Sequence, residues 1–161
     1  MAVIALGANL PSKCGPPKET LRSALARLEA LGLHIVSVSS FYQTPAWPDP
    51  ADPSFVNAVA IVDTELQPAE LLGLLHEVET EYGRLRSVPN SPRTLDIDLI
   101  DHDGAVMAGA LNLPHPRLAE RSFVLVPLAE IAPGWRHPVT GATAAELLAR
   151  LPDRDVLERL P

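Results

Sequence analysis

Disulfide bonds, a basic surface and membrane spans are disfavoured by what this sequence lacks. It contains a single cysteine, Cys14, so no disulfide can form within the chain and a reducing compartment is expected. It has no excess of basic residues: the net charge is −7, and nucleic acid is therefore not expected as a partner. No apolar run approaches the roughly 20 residues that span a bilayer, and the N-terminus lacks the basic start of a signal peptide. We expect a cytoplasmic protein that does not bind membranes.

The residues that are present favour one globular domain over residues 1–161. Hydrophobic residues make up 47% of the chain and charged residues 20%, a balance typical of a folded protein with a buried core. A length of 161 residues is enough to build one such core. The acidic balance still permits a small phosphorylated ligand, because a few arginines and a metal ion can serve one pocket.

Apolar periodicity predicts alternating strands and helices. Short runs of apolar or alternating character indicate strands at 2–6, 34–42, 55–62 and 94–100. Helical spacing indicates two long helices, near 16–31 and over 67–82, and two short ones within 123–131 and 144–151. The order predicts an α+β fold, a ferredoxin-like βαββαβ sheet with both long helices on one face and a C-terminal helical extension.

Two stretches between these elements are too irregular for a helix or a central strand. Residues 44–53 contain four prolines and two aspartates, which indicates a surface loop. Residues 84–93 begin with arginines and contain two further prolines. We expect this second loop to act as a lid that closes over a ligand.

The strongest local signal for chemistry is the pair Asp96 and Asp98. Residues two apart on a strand point to the same face, so these carboxylates project together while the alternate apolar residues point into a core. Two adjacent carboxylates repel each other unless a cation bridges them, which favours Mg²⁺ bound together with ligand phosphates. A half-exposed strand with ordinary polar residues is an alternative that this pair alone leaves equally open.

Arginines flank the acidic pair along the chain. Arg84 and Arg86 precede it, and Arg93 lies three residues before Asp96. Their guanidinium groups can neutralise carboxylates or hold phosphate oxygens in bidentate geometry. Solvated surface arginines are the alternative interpretation, and the better one for any of them taken singly.

Two further clusters suit a phosphate and a flat ring. His115 lies between two prolines and is followed by Arg121 and Phe123; it could contact a phosphate or serve as a structural residue in a turn. Four of the seven aromatic residues fall within 41–55, close in sequence to Asn57. An aromatic surface beside an amide suits a heteroaromatic ligand, although Phe41 taken alone is better explained as core.

The chain contains several short motifs, and these motifs and their order along the chain resemble those of the 6-hydroxymethyl-7,8-dihydropterin pyrophosphokinases. The segment Pro92-Arg93-Thr94-Leu95-Asp96-Ile97-Asp98 is the most specific marker. The others follow the family order and are Leu6-Gly7-Ala8-Asn9-Leu10, Ser40-Phe41-Tyr42-Gln43-Thr44-Pro45, Phe55-Val56-Asn57-Ala58, Gly83-Arg84-Leu85-Arg86, and Pro114-His115 through Arg121-Ser122-Phe123.

The resemblance implies an enzyme that transfers diphosphate from ATP to the pterin hydroxymethyl group in folate biosynthesis, releasing AMP. It implies a monomer in which Asp96 and Asp98 hold two Mg²⁺ ions. The residues it places at the pterin are Thr44, Pro45, Trp47, Phe55, Asn57 and Phe123, with backbone contacts that include Ala46. The residues it places at ATP are His76, Glu79, Arg84, Arg86, Arg93, His115 and Arg121. Those it makes catalytic are Arg84, Arg86, Arg93, Asp96 and Asp98.

Several positions depart from the family pattern. Trp47 replaces a small aliphatic residue, Ala8 replaces a serine, His76 replaces a common glutamine, and 87–91 lacks the tryptophan expected in the lid. Two other classes stay open. A different two-metal phosphotransferase or phosphatase would share the aspartates without needing the aromatic pocket, and a ligand-binding module would keep the fold without the chemistry. Retention of both aspartates and every matching arginine favours the enzyme.

Overall fold

The computed structural model describes residues 1–85, 91–152 and 155–161. Within these ranges the chain forms one antiparallel sheet flanked by four α-helices. The strands are β1 (Ala2–Ala8), β2 (His34–Val38), β3 (Tyr42–Thr44), β4 (Phe55–Asp63), β5 (Asp96–His102) and β6 (Glu158–Arg159). The helices are α1 (Pro17–Ala30), α2 (Pro68–Glu81), α3 (Ser122–Ile131) and α4 (Ala144–Ala149), and a 3-10 turn covers Leu118–Glu120.

Local signals set the starts of the helices. Proline occupies the first position of both α1 and α2, where its missing N–H costs no hydrogen bond. Reciprocal hydrogen bonds form capping boxes at α2, between Gln67 and Glu70, and at α4, between Thr143 and Glu146. These helix starts are encoded within a few residues of sequence.

The sheet places β1 and β4 at its centre. The strand order is β5–β1–β4–β3–β6. Strand β2 pairs with the second half of β4 and β3 with its first half, so both lie along the same side of β4. Helices α1 and α2 cover one face, where Ile4 and Leu6 of β1 are buried. Helices α3 and α4 cover the other face, against Val3, Val59 and Ile100. Because both faces are covered, β1 is apolar throughout rather than alternating.

The helices predicted at 123–131 and 144–151 thus complete a second layer on the sheet. The expectation of helices on one face describes α1 and α2 but not the whole fold. Strand β5 runs from Asp96 to His102 rather than over 94–100. Strand β6, which pairs with β3, was not predicted because its two residues carry no periodic signal. Among the described residues, no helix is both long and apolar enough to cross a bilayer.

The prediction of one continuous strand over 34–42 is wrong, because the chain forms two strands there, and α3 contacts the segment between them. The backbone N–H and the hydroxyl of Ser40 donate to Glu130 Oε1 at 3.1 and 2.7 Å, and the Tyr42 hydroxyl donates to Glu130 Oε2 at 2.9 Å. Ser39 still bonds to Val59 of β4, and at the next residue Glu130 takes the place of a partner in the sheet. Since the carboxylate comes from a helix some 90 positions away, strand periodicity could not reveal it.

Replacing Glu130 with Gln should lower the free energy of unfolding at neutral pH by about 1 kcal/mol and weaken its dependence on acid. Burial raises the pKa of the Glu130 carboxyl, but hydrogen bonds from Ser40 and Tyr42 outweigh it and hold that pKa below its ordinary value. A carboxyl group whose pKa is lower in the folded state adds to the free energy of unfolding above its unfolded-state pKa. That contribution is lost as the pH falls through the folded-state pKa.

Urea unfolding between about pH 5 and pH 3, where carboxyl groups titrate, is the measurement. Wild type should lose more stability over this range than Glu130→Gln. Glu65, an exposed glutamate, provides the matched control Glu65→Gln, which should behave like wild type. Identical pH dependence in Glu130→Gln and wild type would contradict the assignment.

Candidate active site

The residues predicted to carry chemistry converge where β1 ends and β4 and β5 begin. Gly7 of β1 pairs with Asn57 on one side and with Asp96 on the other. One pleat earlier, Ala5 pairs with Asp98. Directly paired residues share a face of the sheet, so this register brings one amide and two carboxylates to the same surface. At Val3, Val59 and Ile100, the same face of the sheet is covered by α3 and α4.

A cleft with a volume of about 300 Å³ opens on this surface, beside the start of α3. The predicted residues that line the cleft are Thr44, Pro45, Trp47, Phe55, Asn57, Arg93, Asp96, Asp98, Arg121 and Phe123. They come from β3, the loop after it, β4, β5 and the start of α3. The fold therefore gathers all six predicted ring-binding residues, and four of those predicted to bind phosphate or metal, into one cleft.

Asp96 is held by two arginines. Arg84 Nη1 contacts Asp96 Oδ1 and also donates to the Leu95 carbonyl at 3.0 Å, while Arg93 Nη1 donates to Asp96 Oδ2 at 2.8 Å. Burial alone would raise the pKa of the Asp96 carboxyl. The two guanidinium groups outweigh it and lower that pKa below its ordinary value. Asp96 is therefore an anion at neutral pH, able to exchange arginine contacts for a metal ion.

Asp98 faces a different pair of groups. Arg121 Nη1 donates to Asp98 Oδ2 at 2.9 Å, and His115 Nε2 lies 3.8 Å from the same oxygen. The backbone N–H of His115 donates to the Ile100 carbonyl at 2.8 Å, which anchors the Pro114–Pro116 segment against β5. Burial lowers the pKa of His115, partly offset by Asp98 and reinforced by Arg121, so the neutral imidazole predominates at pH 7.

The amide of Asn57 is fixed in orientation. Its side chain is buried, and its Nδ2 donates to Thr44 Oγ1 at 2.9 Å. A Cβ atom at Gly7 would come within 3.0 Å of Asn57 Oδ1, closer than a carbon normally approaches an oxygen. Gly7 is thus required for a close approach, a role that the sequence motif Leu6-Gly7-Ala8 did not make explicit.

Each aromatic side chain in the cleft lies near an arginine. The Arg93 guanidinium is 5.8 Å from the centre of the Phe55 ring, and that of Arg121 is 5.6 Å from the centre of the Phe123 ring. Both distances are within the range of a cation–π contact. These contacts place the aromatic rings of the cleft beside the arginines that bind Asp96 and Asp98.

Some predicted residues lie outside the cleft lining. Glu79 is buried, and it accepts a hydrogen bond from the Ile97 N–H at 2.7 Å. It also lies 3.7 Å from Arg84. These contacts connect α2 to the start of β5. His76 lies on the outer surface of α2, in a shallow depression with Glu77 and Thr80. Arg84 and His115 do not line the cleft themselves, but Arg84 contacts Asp96 and His115 lies 3.8 Å from Asp98. Arg86 and half of the predicted lid, residues 86–90, lie outside the described residues.

The cleft also contains residues that sequence reasoning missed, among them Arg117, Glu120 and Asp155. The Arg117 guanidinium is 5.8 Å from the ring centre of Trp47, whose side chain is 65% exposed at the mouth of the cleft. Arg117 belongs to the Pro-His-Pro-Arg motif and could have been selected for its charge. Asp155 accepts a hydrogen bond from the Ser122 hydroxyl at 2.7 Å; nothing in the sequence connects these two residues.

Comparison with known proteins matches most of the chain to one family. Residues 3–133 match the family model described as 7,8-dihydro-6-hydroxymethylpterin-pyrophosphokinase. The chain is 40% identical, over 161 residues, to the 2-amino-4-hydroxy-6-hydroxymethyldihydropteridine pyrophosphokinase of Methylorubrum extorquens, an alignment that covers 99% of this chain and 98% of the relative. It is 39% identical, over 152 residues, to the protein of the same name from Synechocystis, covering 93% of this chain and 75% of the relative.

A solved structure agrees at the level of the fold. The Plasmodium falciparum HPPK-DHPS crystal structure matches with a TM-score of 0.71 at 15% sequence identity. The match covers 92% of this chain and 40% of that longer chain. At such low identity the likeness establishes a shared fold and nothing about individual residues.

Proposed function

Because the chain belongs to the 7,8-dihydro-6-hydroxymethylpterin-pyrophosphokinase family, we propose that it transfers the diphosphate of ATP to the hydroxymethyl group of 6-hydroxymethyl-7,8-dihydropterin in folate biosynthesis. In this reaction the hydroxymethyl oxygen attacks the β-phosphorus of ATP, and the hydroxyl proton is released to water. The bond from that phosphorus to the oxygen that bridges it to the α-phosphorus breaks, and AMP leaves.

The observation that carries the proposal is the division of one cleft into two halves. On one side lie Phe55, Phe123 and the oriented amide of Asn57, which suit a flat ring with hydrogen-bonding edges. On the other side lie Asp96 and Asp98 with their arginines, which suit a metal-bound polyphosphate. A phosphatase would need the second half without the first.

The side chains fit a divalent cation at Asp96 and Asp98. They are anionic oxygen ligands on one face of β5, the type that Mg²⁺ prefers. Within the described ranges, no group of three or more acidic, histidine or cysteine side chains could hold a metal by itself, so water and phosphate oxygens would supply the other ligands. Bound Mg²⁺ would neutralise phosphate charge as the diphosphate transfers. We propose two such ions, as the family resemblance implies.

The protein's own groups supply positioning and charge. Arg84 and Arg93, which contact Asp96 in this structure, would hold phosphate oxygens of the bound nucleotide. Arg121 and the neutral imidazole of His115 would donate hydrogen bonds to the nucleotide beside Asp98. Phosphoryl-type transfer depends mainly on such positioning and charge stabilisation, and needs little covalent help from the enzyme.

Incubation of the protein with ATP, Mg²⁺ and 6-hydroxymethyl-7,8-dihydropterin, followed by separation of the products, tests the proposal. We expect AMP and a pterin diphosphate in equal amounts. Formation of ADP and a pterin monophosphate would assign the site to another phosphotransferase reaction. Phosphate release without a pterin product would indicate a phosphatase, and pterin binding without turnover would indicate a binding module.

The proposal also covers the type of fold, the number of domains, the oligomeric state and the cellular compartment. The strand order of β1, β4, β5 and the edge formed by β2 and β3 supports a ferredoxin-like arrangement, with α3 and α4 as the added helical part. We further propose that residues 1–161 act as a single domain, as a monomer, and in the cytoplasm.

A further inference from the structure

Asn9 is a buried polar residue that the proposed chemistry does not use. It follows β1 directly and only 3% of its surface is exposed. Buried amides are costly unless their hydrogen-bonding groups are satisfied, so the partners of Asn9 indicate why an amide occupies this position.

The position of Asn9 follows from the sheet order. Strand β1 lies between β4 and β5, and it runs antiparallel to both. Its last residues therefore pass the starts of β4, at Phe55, and of β5, at Asp96. Asn9 lies one residue beyond β1, between the loop that leads into Phe55 and the segment that leads into Asp96.

The two ends of the Asn9 amide bind these two segments separately. Its Nδ2 donates to the Pro53 carbonyl at 3.0 Å, and its Oδ1 accepts from the Arg93 N–H at 2.7 Å. The Arg93 carbonyl in turn accepts from the backbone N–H groups of Asn9 and Leu10, both at 3.1 Å. The partners fix the amide orientation, since Pro53 can only accept and the Arg93 N–H can only donate.

Both partners lead directly into the cleft. Pro53 closes the loop 45–54, which contributes Trp47 to the cleft and enters β4 at Phe55. Arg93 donates to Asp96 and lies over the Phe55 ring. A shift of either segment would therefore change the distance between the aromatic half and the charged half of the cleft.

We propose that Asn9 is a positioning residue that holds the loop 45–54 and Arg93 in a fixed relation, so that the ring-binding and phosphate-binding halves of the cleft remain aligned. This proposal rests on the proposed function for its kinetic consequences, but the link between the two segments is independent of that function. Neither a side chain with one polar end nor a carboxylate, which only accepts, can make both contacts.

Two variants separate the two ends of the amide. Asn9→Ala removes both hydrogen bonds. Asn9→Asp keeps an acceptor for the Arg93 N–H but places a carboxylate oxygen against the Pro53 carbonyl, which removes that bond alone. Ser39→Ala is the matched control, because the Ser39 hydroxyl is also buried and also bonds two backbone groups, the Val59 N–H and the Ser40 carbonyl, outside the cleft lining.

Hydrogen exchange of the ligand-free proteins tests the link directly. Asn9→Ala should speed exchange in the loop 45–54 and at the Arg93 amide, whereas Asn9→Asp should speed it in the loop and leave Arg93 protected. Ser39→Ala should leave both regions as in wild type while lowering the melting temperature to a similar degree. Unchanged exchange in both regions of Asn9→Ala would overturn the proposal.

Kinetics under the proposed reaction then test the consequence for function. Asn9→Ala should lower kcat by about 10-fold and raise KM for both substrates, since small misplacements of reacting groups are expensive. Asn9→Asp should raise mainly KM for the pterin. Effects no larger than those of Ser39→Ala would reduce Asn9 to a structural residue and overturn the positioning role. If wild type forms no AMP, the proposed function fails, and hydrogen exchange still decides whether Asn9 links the segments.

Discussion

Asp98→Asn should reduce turnover by roughly 1,000-fold, because loss of a carboxylate that we propose holds a metal ion would remove several kcal/mol of charge stabilisation from the transition state. The substitution keeps the shape of the side chain and an oxygen that can accept from Arg121, which now donates to Asp98 at 2.9 Å. It removes the negative charge that a divalent cation requires. The defect should therefore appear in kcat and in the Mg²⁺ concentration needed for half-maximal rate.

Steady-state rates at several Mg²⁺ concentrations measure this effect. Asp103→Asn is the matched control: Asp103 directly follows β5 but is exposed and pairs with the N-terminal amine. That variant should keep wild-type turnover and Mg²⁺ dependence. A melting temperature for Asp98→Asn close to that of wild type would show that the fold is intact, and near-normal turnover in that variant would refute the metal assignment.

Asn57→Ala should raise KM for the pterin by roughly 100-fold, because a ring edge that hydrogen-bonds the amide in the cleft would lose its partner. The Asn57 amide is buried and is held by Thr44, so it is already oriented before a ligand arrives. KM for ATP should change far less, since we propose that the nucleotide binds on the charged side. Titration of the pterin into the nucleotide-free protein, followed by fluorescence, measures the affinity directly.

Thr44→Val provides the companion variant. It removes the hydroxyl that fixes the Asn57 amide but leaves the amide itself. Its effect on pterin affinity should be smaller, about 10-fold or less, and the double variant should resemble Asn57→Ala rather than show the sum of the two. Additive effects would mean that Thr44 and Asn57 act separately. Asn112→Ala, at an exposed turn, is the control for loss of an asparagine and should bind the pterin as wild type does.

The acidic pair shows how far sequence reasoning reaches. The alternation Leu95, Asp96, Ile97, Asp98 has a period of two, and β5 buries the apolar members while leaving the aspartates on the cleft face, as predicted. The face of a strand is a local property, because it depends only on backbone geometry. The same holds for the helix starts at the prolines and capping residues.

Sequence reasoning did not reach contacts made by residues that are distant along the chain. The segment 34–42 forms two strands rather than one, and Glu130 contacts the interruption from α3. Glu79 remains a prediction for the nucleotide site, and the fold adds a contact that the sequence did not show, from the Ile97 N–H to its buried carboxylate. Arg117 was not selected, although the fold places it over Trp47. None of these contacts joins residues near one another in sequence.

The sequence by itself determined most of the helices and strands, the face of β5 that carries the two carboxylates, and the motifs that indicate the family. These depend on backbone periodicity and on residue chemistry within a few positions. Only the tertiary structure decided that Gly7 stands between Asn57 and Asp96, that two arginines neutralise Asp96, and that Asn9 joins Pro53 to Arg93. The physical reason is that charge and hydrogen-bond interactions depend on distance in space, which strand order and register set and local sequence does not.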